Sequence, residues 1–151
     1  MTVTEDHGRW LDAAIEQART GAAEGGVPIG AALVVDGELL AVGRNRRVQW
    51  GSAIRHGETD CLEQAGRLPA ATYARATMYT TLSPCDMCSG AILLYGIPRV
   101  VMGENRTFTG AEQTLRRRGV ELINLDSDVC AELMSQFIAA HPDIWNEDIG
   151  T

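Results

Sequence analysis

The chain has 151 residues, 13 arginines and no lysine against 20 acidic groups, four cysteines and a hydrophobic share of 45%. That length is the size of one domain and buries roughly two thirds of the surface the unfolded chain exposes, so its core needs no disulfide staples. The composition excludes a disordered or fibrous chain, and a net charge of -7 argues against a surface that tracks nucleic-acid phosphates. No apolar run approaches the roughly 18 residues of a membrane span, and no basic-then-apolar stretch opens the chain. A cytoplasmic protein with neither a membrane nor a nucleic-acid partner is therefore expected. Two arginine runs, Arg44, Arg46, Arg47 with Arg55 and Arg116 to Arg118, read as solvated faces.

From Asp6 to about Ala23, Trp10, Leu11, Ala14, Ile15 and Ala18 recur at helical spacing, and Gly25-Gly26 ends the run. Ile29 to Val35 is small or β-branched and apolar. Asp36-Gly37 is a strong hairpin signal, and Leu39 to Val42 runs back. Gly43 to Arg55 reads as a long polar loop, His56 to Gly66 as a helix and Thr77 to Thr81 as a strand. Pro84 opens a helix through Tyr95, and Pro98 leads into a strand Arg99 to Met102. A loop Asn105 to Gly110, a short helix before Gly119, a strand Glu121 to Leu125 and a helix Asp128 to Ala140 follow, the last capped by Ser127 or Asp126. The final ten residues, with Trp145 among polar neighbours, read as a docked tail. The order predicts an α/β chain, one domain over residues 1–151, with helices on both faces of one sheet.

Two clusters carry chemistry: His56-Gly57-Glu58, and Pro84-Cys85-Asp86-Met87-Cys88 at the start of a helix. Cysteines at i and i+3 in a first helical turn share a face, and the helix's positive end favours the thiolates that zinc requires. Cys85, Cys88 and His56 together give three ligands, which leaves a tetrahedral zinc one open position, the mark of a catalytic rather than a structural site. Cys61, Cys130, His7 and His141 remain as further candidates; the two cysteines read more simply as core and the two histidines as solvated or capping groups. A redox disulfide between Cys85 and Cys88 is the other use of C-x-x-C, but that motif has no need of a partner H-x-E. Glu58, two residues after a ligand, can stand beside the metal without binding it and shuttle protons from water to a leaving amine. H-x-E followed by P-C-x-x-C is the signature of zinc nucleobase deaminases, which predicts hydrolytic deamination with ammonia released.

Gly25-Gly26-Val27-Pro28-Ile29-Gly30, His56-Gly57-Glu58, the run Tyr79 to Cys88, Tyr95-Gly96-Ile97-Pro98-Arg99, Gly103-Glu104-Asn105 and the tail Trp145, Glu147 to Gly150 resemble fungal-type cytosine deaminases, within the wider cytidine and deoxycytidylate deaminase superfamily. The resemblance covers nearly the whole chain. It implies a three-layer α/β/α sandwich about a five-stranded mixed sheet, a homodimer, one zinc per subunit, and a free nucleobase as substrate. It implies His56, Cys85 and Cys88 as ligands and Glu58 as the proton shuttle. It further implies Asn45 and the Gly57 amide as donors to the base carbonyl, and Asp148 as acceptor from the exocyclic amine. Phe108 and Trp145 would be the aromatic walls, and Ile29, Leu82, Ser83 and Met87 the lining.

Four positions depart from the fungal pattern: Val48 stands for a phenylalanine, Arg46 for a methionine and Thr59-Asp60 for an isoleucine-serine pair. These changes suggest a roomier or more polar pocket, suited to substituted or nitrogen-rich analogues of cytosine. Guanine-type deamination and tRNA adenosine deamination share the zinc motifs and stand as alternatives; the acidic tail argues against the second. A noncatalytic zinc module is the rival from another class, and it has no use for Glu58.

Overall fold

The computed structural model describes residues 6–151, so residues 1–5 of the expected single domain and of the N-terminal reading lie outside it. Helix α1 spans His7–Ala23 and is capped by the Asp6 carboxylate, which accepts from the Arg9 amide at 3.0 Å. Strands β1 (Gly30–Val35) and β2 (Glu38–Arg44) form the hairpin, with Asp36 at φ 52° and Gly37 at φ 75°. Positive φ at both turn residues matches the right-handed strand twist, which is why Asp-Gly closes two-residue hairpins. Short helices α2 (Arg47–Trp50) and α4 (Ala70–Tyr73) flank α3 (Gly57–Ala65), and β3 (Ala76–Thr80) precedes α5 (Asp86–Tyr95). Strand β4 (Arg99–Met102), α6 (Glu112–Arg117), β5 (Glu121–Asn124), α7 (Asp128–Ala140) and α8 (Pro142–Asp148) complete the chain.

The strand order is β2-β1-β3-β4-β5, with β1 antiparallel to both neighbours and the β3-β4 and β4-β5 pairs parallel. This is the expected five-stranded mixed sheet. Strand β1 is buried throughout and alternates its side chains between two cores. Ala31, Leu33 and Val35 pack with Cys61, Ile92, Ile97 and Leu115 under α3, α5 and α6. Ala32 and Val34 pack with Leu11, Ala14, Ile15 and Cys130 against α1 and α7. Cys61 and Cys130 are thus core residues. A third cluster, Val27, Ile29, Leu82, Met134 and Trp145, sits beyond the sheet and walls the site.

Two segments correct the expectation. The stretch read as a loop from Gly43 continues β2 to Arg44 and then turns through α2, which at four residues is too short to show a period. The docked tail is helical: Pro142 starts α8, whose Trp145 and Asp148 are buried. His7 is also no merely solvated group, since its Nδ1 lies 2.7 Å from the Tyr79 hydroxyl.

Gly30 lets β1 pass close under α1, because a Cβ there would fall 2.0 Å from the Ala14 carbonyl oxygen. Backbone cannot give way as a side chain tip can, so Gly30→Ala should cost about 1–3 kcal/mol. In urea unfolding this appears as a lower midpoint at unchanged slope.

A three-donor metal centre beside a small cavity

Helices α3 and α5 begin at the same place, above the core they share under the sheet. His56 is the residue before α3 and Cys85 the residue before α5, with Cys88 one turn on. Thr59 Oγ accepts from the His56 amide at 2.9 Å, which anchors the ligand's backbone. His56 Nδ1 lies 3.4 Å from Cys85 Sγ and 3.7 Å from Cys88 Sγ, and donor atoms of the three residues all fall within 4.8 Å of one another. Zinc bonds of about 2.1 Å to nitrogen and about 2.3 Å to sulfur require, for a tetrahedron, a nitrogen-sulfur edge of about 3.6 Å. The protein presents that edge twice. No other such group occurs among the described residues, and all four cysteines are free thiols, which leaves the redox disulfide without support.

Taken as protein alone, the three donors share protons that a bound cation would have to displace, and only Cys85 is held as a thiolate. The hydrogen bond from Cys88, against burial and helped by His56, lowers Cys85 to about 4. Cys88, giving that hydrogen and buried, rises well above the ordinary thiol range. Burial acts to lower His56, but the hydrogen bond to Cys85 and the carboxylates of Asp148 and Glu58 outweigh it and raise the imidazole to about 9. A divalent cation replaces these shared protons among the donors.

Glu58, 4% exposed in the first turn of α3, is pushed up to about 7 by burial and then by the Cys85 thiolate. It lines a small cavity with Ile29, Leu82, Phe108, Trp145 and Asp148. Ser83 lines it too, but its hydroxyl is spent: Oγ donates to Glu112 at 2.6 Å and accepts from the Gly110 amide at 2.9 Å. Phe108 and Trp145 meet edge to face at 5.7 Å. Met87 lies further out, at the mouth, where it is 37% exposed. Asn45 is fully buried and donates from Nδ2 to Asp148 Oδ1 at 2.8 Å, while its Oδ1 accepts from the Arg47 amide at 3.0 Å. Asp148 Oδ2 stands 3.7 Å from His56 Nε2, and burial raises its carboxyl against the pull of His56 and Asn45. Gly57 packs its backbone against Ile29, where a Cβ would come within 3.2 Å of the Ile29 carbonyl oxygen.

The sequence reading missed Ile149, which lines the cavity, and Arg47, which stands at its mouth 3.8 Å from Asp148. It also read the arginines around Asn45 as a solvated face, whereas Arg44 pairs with Glu24 at 2.9 Å and Arg46 and Arg55 both pair with buried Asp60. Asp60 consequently adds no carboxylate to the pocket. Val48 lines a groove that shares Arg47, Ala53, Glu147 and Asp148 with the mouth of the site, and Thr59 lines a separate surface groove. None of the four departing residues lines the inner cavity, so any effect of Val48 on the space for a substrate acts at the mouth.

Residues 4–104 match the family model of the cytidine and deoxycytidylate deaminase zinc-binding region, and the chain belongs to that family. Within it, the chain is 52% identical to the cytosine deaminase of Candida albicans over 149 residues, covering 98% of this chain and 99% of that one. A tRNA-specific adenosine deaminase of Bacillus subtilis is 36% identical over 107 residues, 70% of this chain and 66% of that one. Among solved structures, one from a study of A-to-I editing by tRNA:A34 deaminases superposes with a TM-score of 0.70 at 27% identity, covering 83% of this chain and 99% of that one. The guanine deaminase of Nitrosomonas europaea shares the fold at a TM-score of 0.72 and 22% identity, covering 92% and 87% of the two chains.

Zinc bound by His56, Cys85 and Cys88 ties α3 to α5, so its removal should loosen the fold. Chelator-treated protein is expected to unfold at a lower temperature than protein carrying one zinc per chain, with the midpoint restored on adding zinc. Calorimetry beside metal analysis checks this.

Proposed function

We propose that the chain is a single domain, residues 1–151, that hydrolytically deaminates a free nucleobase, cytosine or a close cytosine-like ring, and releases ammonia. The observation that carries this is the small cavity beside the metal ligands, lined by Glu58 together with Trp145 and Asp148 from α8. A base still joined to a polynucleotide would have to thread its sugar past that helix. The likeness to Candida albicans cytosine deaminase supports the pyrimidine over the purine alternative.

When bound, zinc supplies a Lewis acid that makes a water nucleophilic at neutral pH. The protein's residues do the rest. Glu58, whose carboxyl burial raises to about 7, would take one proton from the attacking water as its oxygen bonds the ring carbon and give it to the ring nitrogen. It would then take the second proton from the hydroxyl now on that carbon and give it to the amine, which leaves as ammonia as the carbon-nitrogen bond breaks. The second hydrogen of Asn45 Nδ2 and the Gly57 amide hold the base carbonyl. Asp148 accepts from the exocyclic amine. Phe108 and Trp145 clasp the ring while Ile29 and Leu82 keep water away.

Exposed Ile54, Leu94 and Tyr95 rim a groove between α3, α4 and α5 whose floor includes Leu62, Leu68 and Tyr73. An apolar surface of this kind supports a homodimer. Among the described residues no helix is long and apolar enough to cross a membrane, which fits the cytoplasmic setting we propose.

An ammonia-release panel of cytosine, 5-methylcytosine, an aminotriazine and guanine tests the reading, with cytosine expected to give the highest kcat/KM. Fastest turnover of guanine would overturn the pyrimidine assignment. Glu58→Gln should retain zinc and lose at least about 100-fold in kcat, the scale of a general acid-base group. Near-native turnover by that variant would remove Glu58 from the role.

A further inference from the structure

We propose that Asp60 is a positioning residue for the substrate: its buried carboxylate clamps the residues on both sides of Asn45 to the helix that carries Glu58. The clamp sets the separation between the amide that recognises the base and the centre that reacts with it. This inference rests on the reading of Asn45 as a base contact.

Asp60 follows Glu58 by two residues on α3, and side chains two apart on a helix point to different faces. Glu58 faces the cavity; Asp60 faces β2 and is fully buried. The two backbones nearly touch there, because a Cβ on Gly43 would lie 2.2 Å from the Cys61 nitrogen. A short aspartate can therefore span the gap. Its Oδ2 accepts from the Arg44 backbone amide at 3.0 Å and from Arg46 Nε at 3.0 Å. Its Oδ1 accepts from Arg55 Nη1 at 2.6 Å. Arg44 and Arg46 bracket Asn45, and Arg55 immediately precedes the ligand His56.

The same segments are also laced backbone to backbone, since the Arg46 amide donates to the Arg55 carbonyl at 2.9 Å. Trp50 lies against both guanidinium groups, with Arg46 Cζ 4.4 Å and Arg55 Cζ 4.7 Å from its ring centroid. The indole shields the ion pairs from water, which strengthens them. One carboxylate thus holds three points, two of them on either side of Asn45, whose own amide donates to the Ile29 carbonyl at 3.0 Å. Hydrogen bonds to a buried charged group are the strong class, and an uncompensated guanidinium left behind is costly.

An asparagine at position 60 fits the same space but has one acceptor oxygen in place of two, and it turns an amide donor toward an arginine. Asn45 then keeps its own bonds to Ile29, Asp148 and Arg47 but loses the bracing on both sides of it, while His56 stays anchored to Thr59 and Glu58 to the backbone of α3. A base contact made equally in the ground state and the transition state appears in KM and leaves kcat alone.

The test uses the zinc-loaded full chain and four variants: Asp60→Asn, Arg46→Met, the double variant, and Asn45→Ala as reference. Each is measured on the panel base turned over fastest, with zinc content and melting temperature alongside. Asp60→Asn should raise KM by about 10-fold or more, the scale of a lost charged hydrogen bond. Its kcat should stay within about threefold and its zinc at one per chain. Arg46→Met should raise KM less, and the double variant should be no worse than Asp60→Asn because both act through one interaction. Should Asp60→Asn fail to fold, Arg46→Met alone carries the test, and an unchanged KM there overturns the clamp. An unchanged KM in Asp60→Asn overturns it while Asn45→Ala still raises KM, and so does a loss confined to zinc or to kcat. Where Asn45→Ala itself leaves KM unchanged, the reading of Asn45 falls and the clamp falls with it.

Discussion

The site depends on two helices starting at one point. Strand β3 ends at Thr80, the chain crosses by way of Leu82 and Pro84, and α5 begins with a cysteine before its first turn and another within it. Helix α3 reaches the same place from the β2 side, with a histidine before its first turn and a glutamate inside it. Each helix start presents unpaired amides and a partial positive charge, which favour thiolate and carboxylate. Strand β1, buried on both faces between β2 and β3, fixes the distance between the two approaches. The metal ligands are therefore a consequence of sheet order, and the geometry among them is a consequence of where two helices are allowed to begin.

This arrangement explains which parts of the molecule were legible from residues alone. His56, Glu58, Cys85 and Cys88 sit in short local patterns whose chemistry is set by spacing, so they could be read without knowing the sheet. The Asp36-Gly37 turn is equally local, because its positive φ angles are a property of two residues. Helix α8 was read as a tail because seven residues carrying one tryptophan among acids show no helical period, and its stability comes from the pocket it covers. The arginines near Asn45 were misread for a related reason. A charge run looks solvated when the partner is out of view, and Asp60 is 14 residues from Arg46. The His7 to Tyr79 contact spans 72 residues and has no signature in either segment.

The residues that the fungal resemblance implies as walls, Ile29, Leu82, Phe108 and Trp145, line one cavity together, while two of its exceptions pair with each other. Arg46 and Asp60 are two departures from that pattern, and they lie 3.0 Å apart. A charge added alone to a buried position is strongly unfavourable, whereas an opposite pair with satisfied hydrogen bonds is tolerated. Read singly, each substitution suggested a more polar pocket. Read as a pair, they cancel behind the pocket wall and leave Ile29, Leu82, Phe108 and Trp145 to define the space a base can fill.

The charge at the mouth bears on what can enter. Arg47 is the cation nearest the opening, and a lone arginine there would invite a phosphate. It stands 3.8 Å from Asp148 and 3.9 Å from Glu147, near enough for their charges to act on it but hydrogen-bonded to neither, and its Nε is buried without a partner among the described residues. Asp148 is buried and Glu147 exposed, and the negative excess therefore faces outward, in a chain whose net charge is already -7. An incoming phosphate would meet two carboxylates beside the one guanidinium at this rim, which disfavours it. An uncharged ring meets no such penalty, and in the proposed reading its amine would meet the Asp148 carboxylate, which Asn45 orients. The same helix that lines the cavity thus sets its electrostatic preference, which is for a small neutral heterocycle bearing an exocyclic amine.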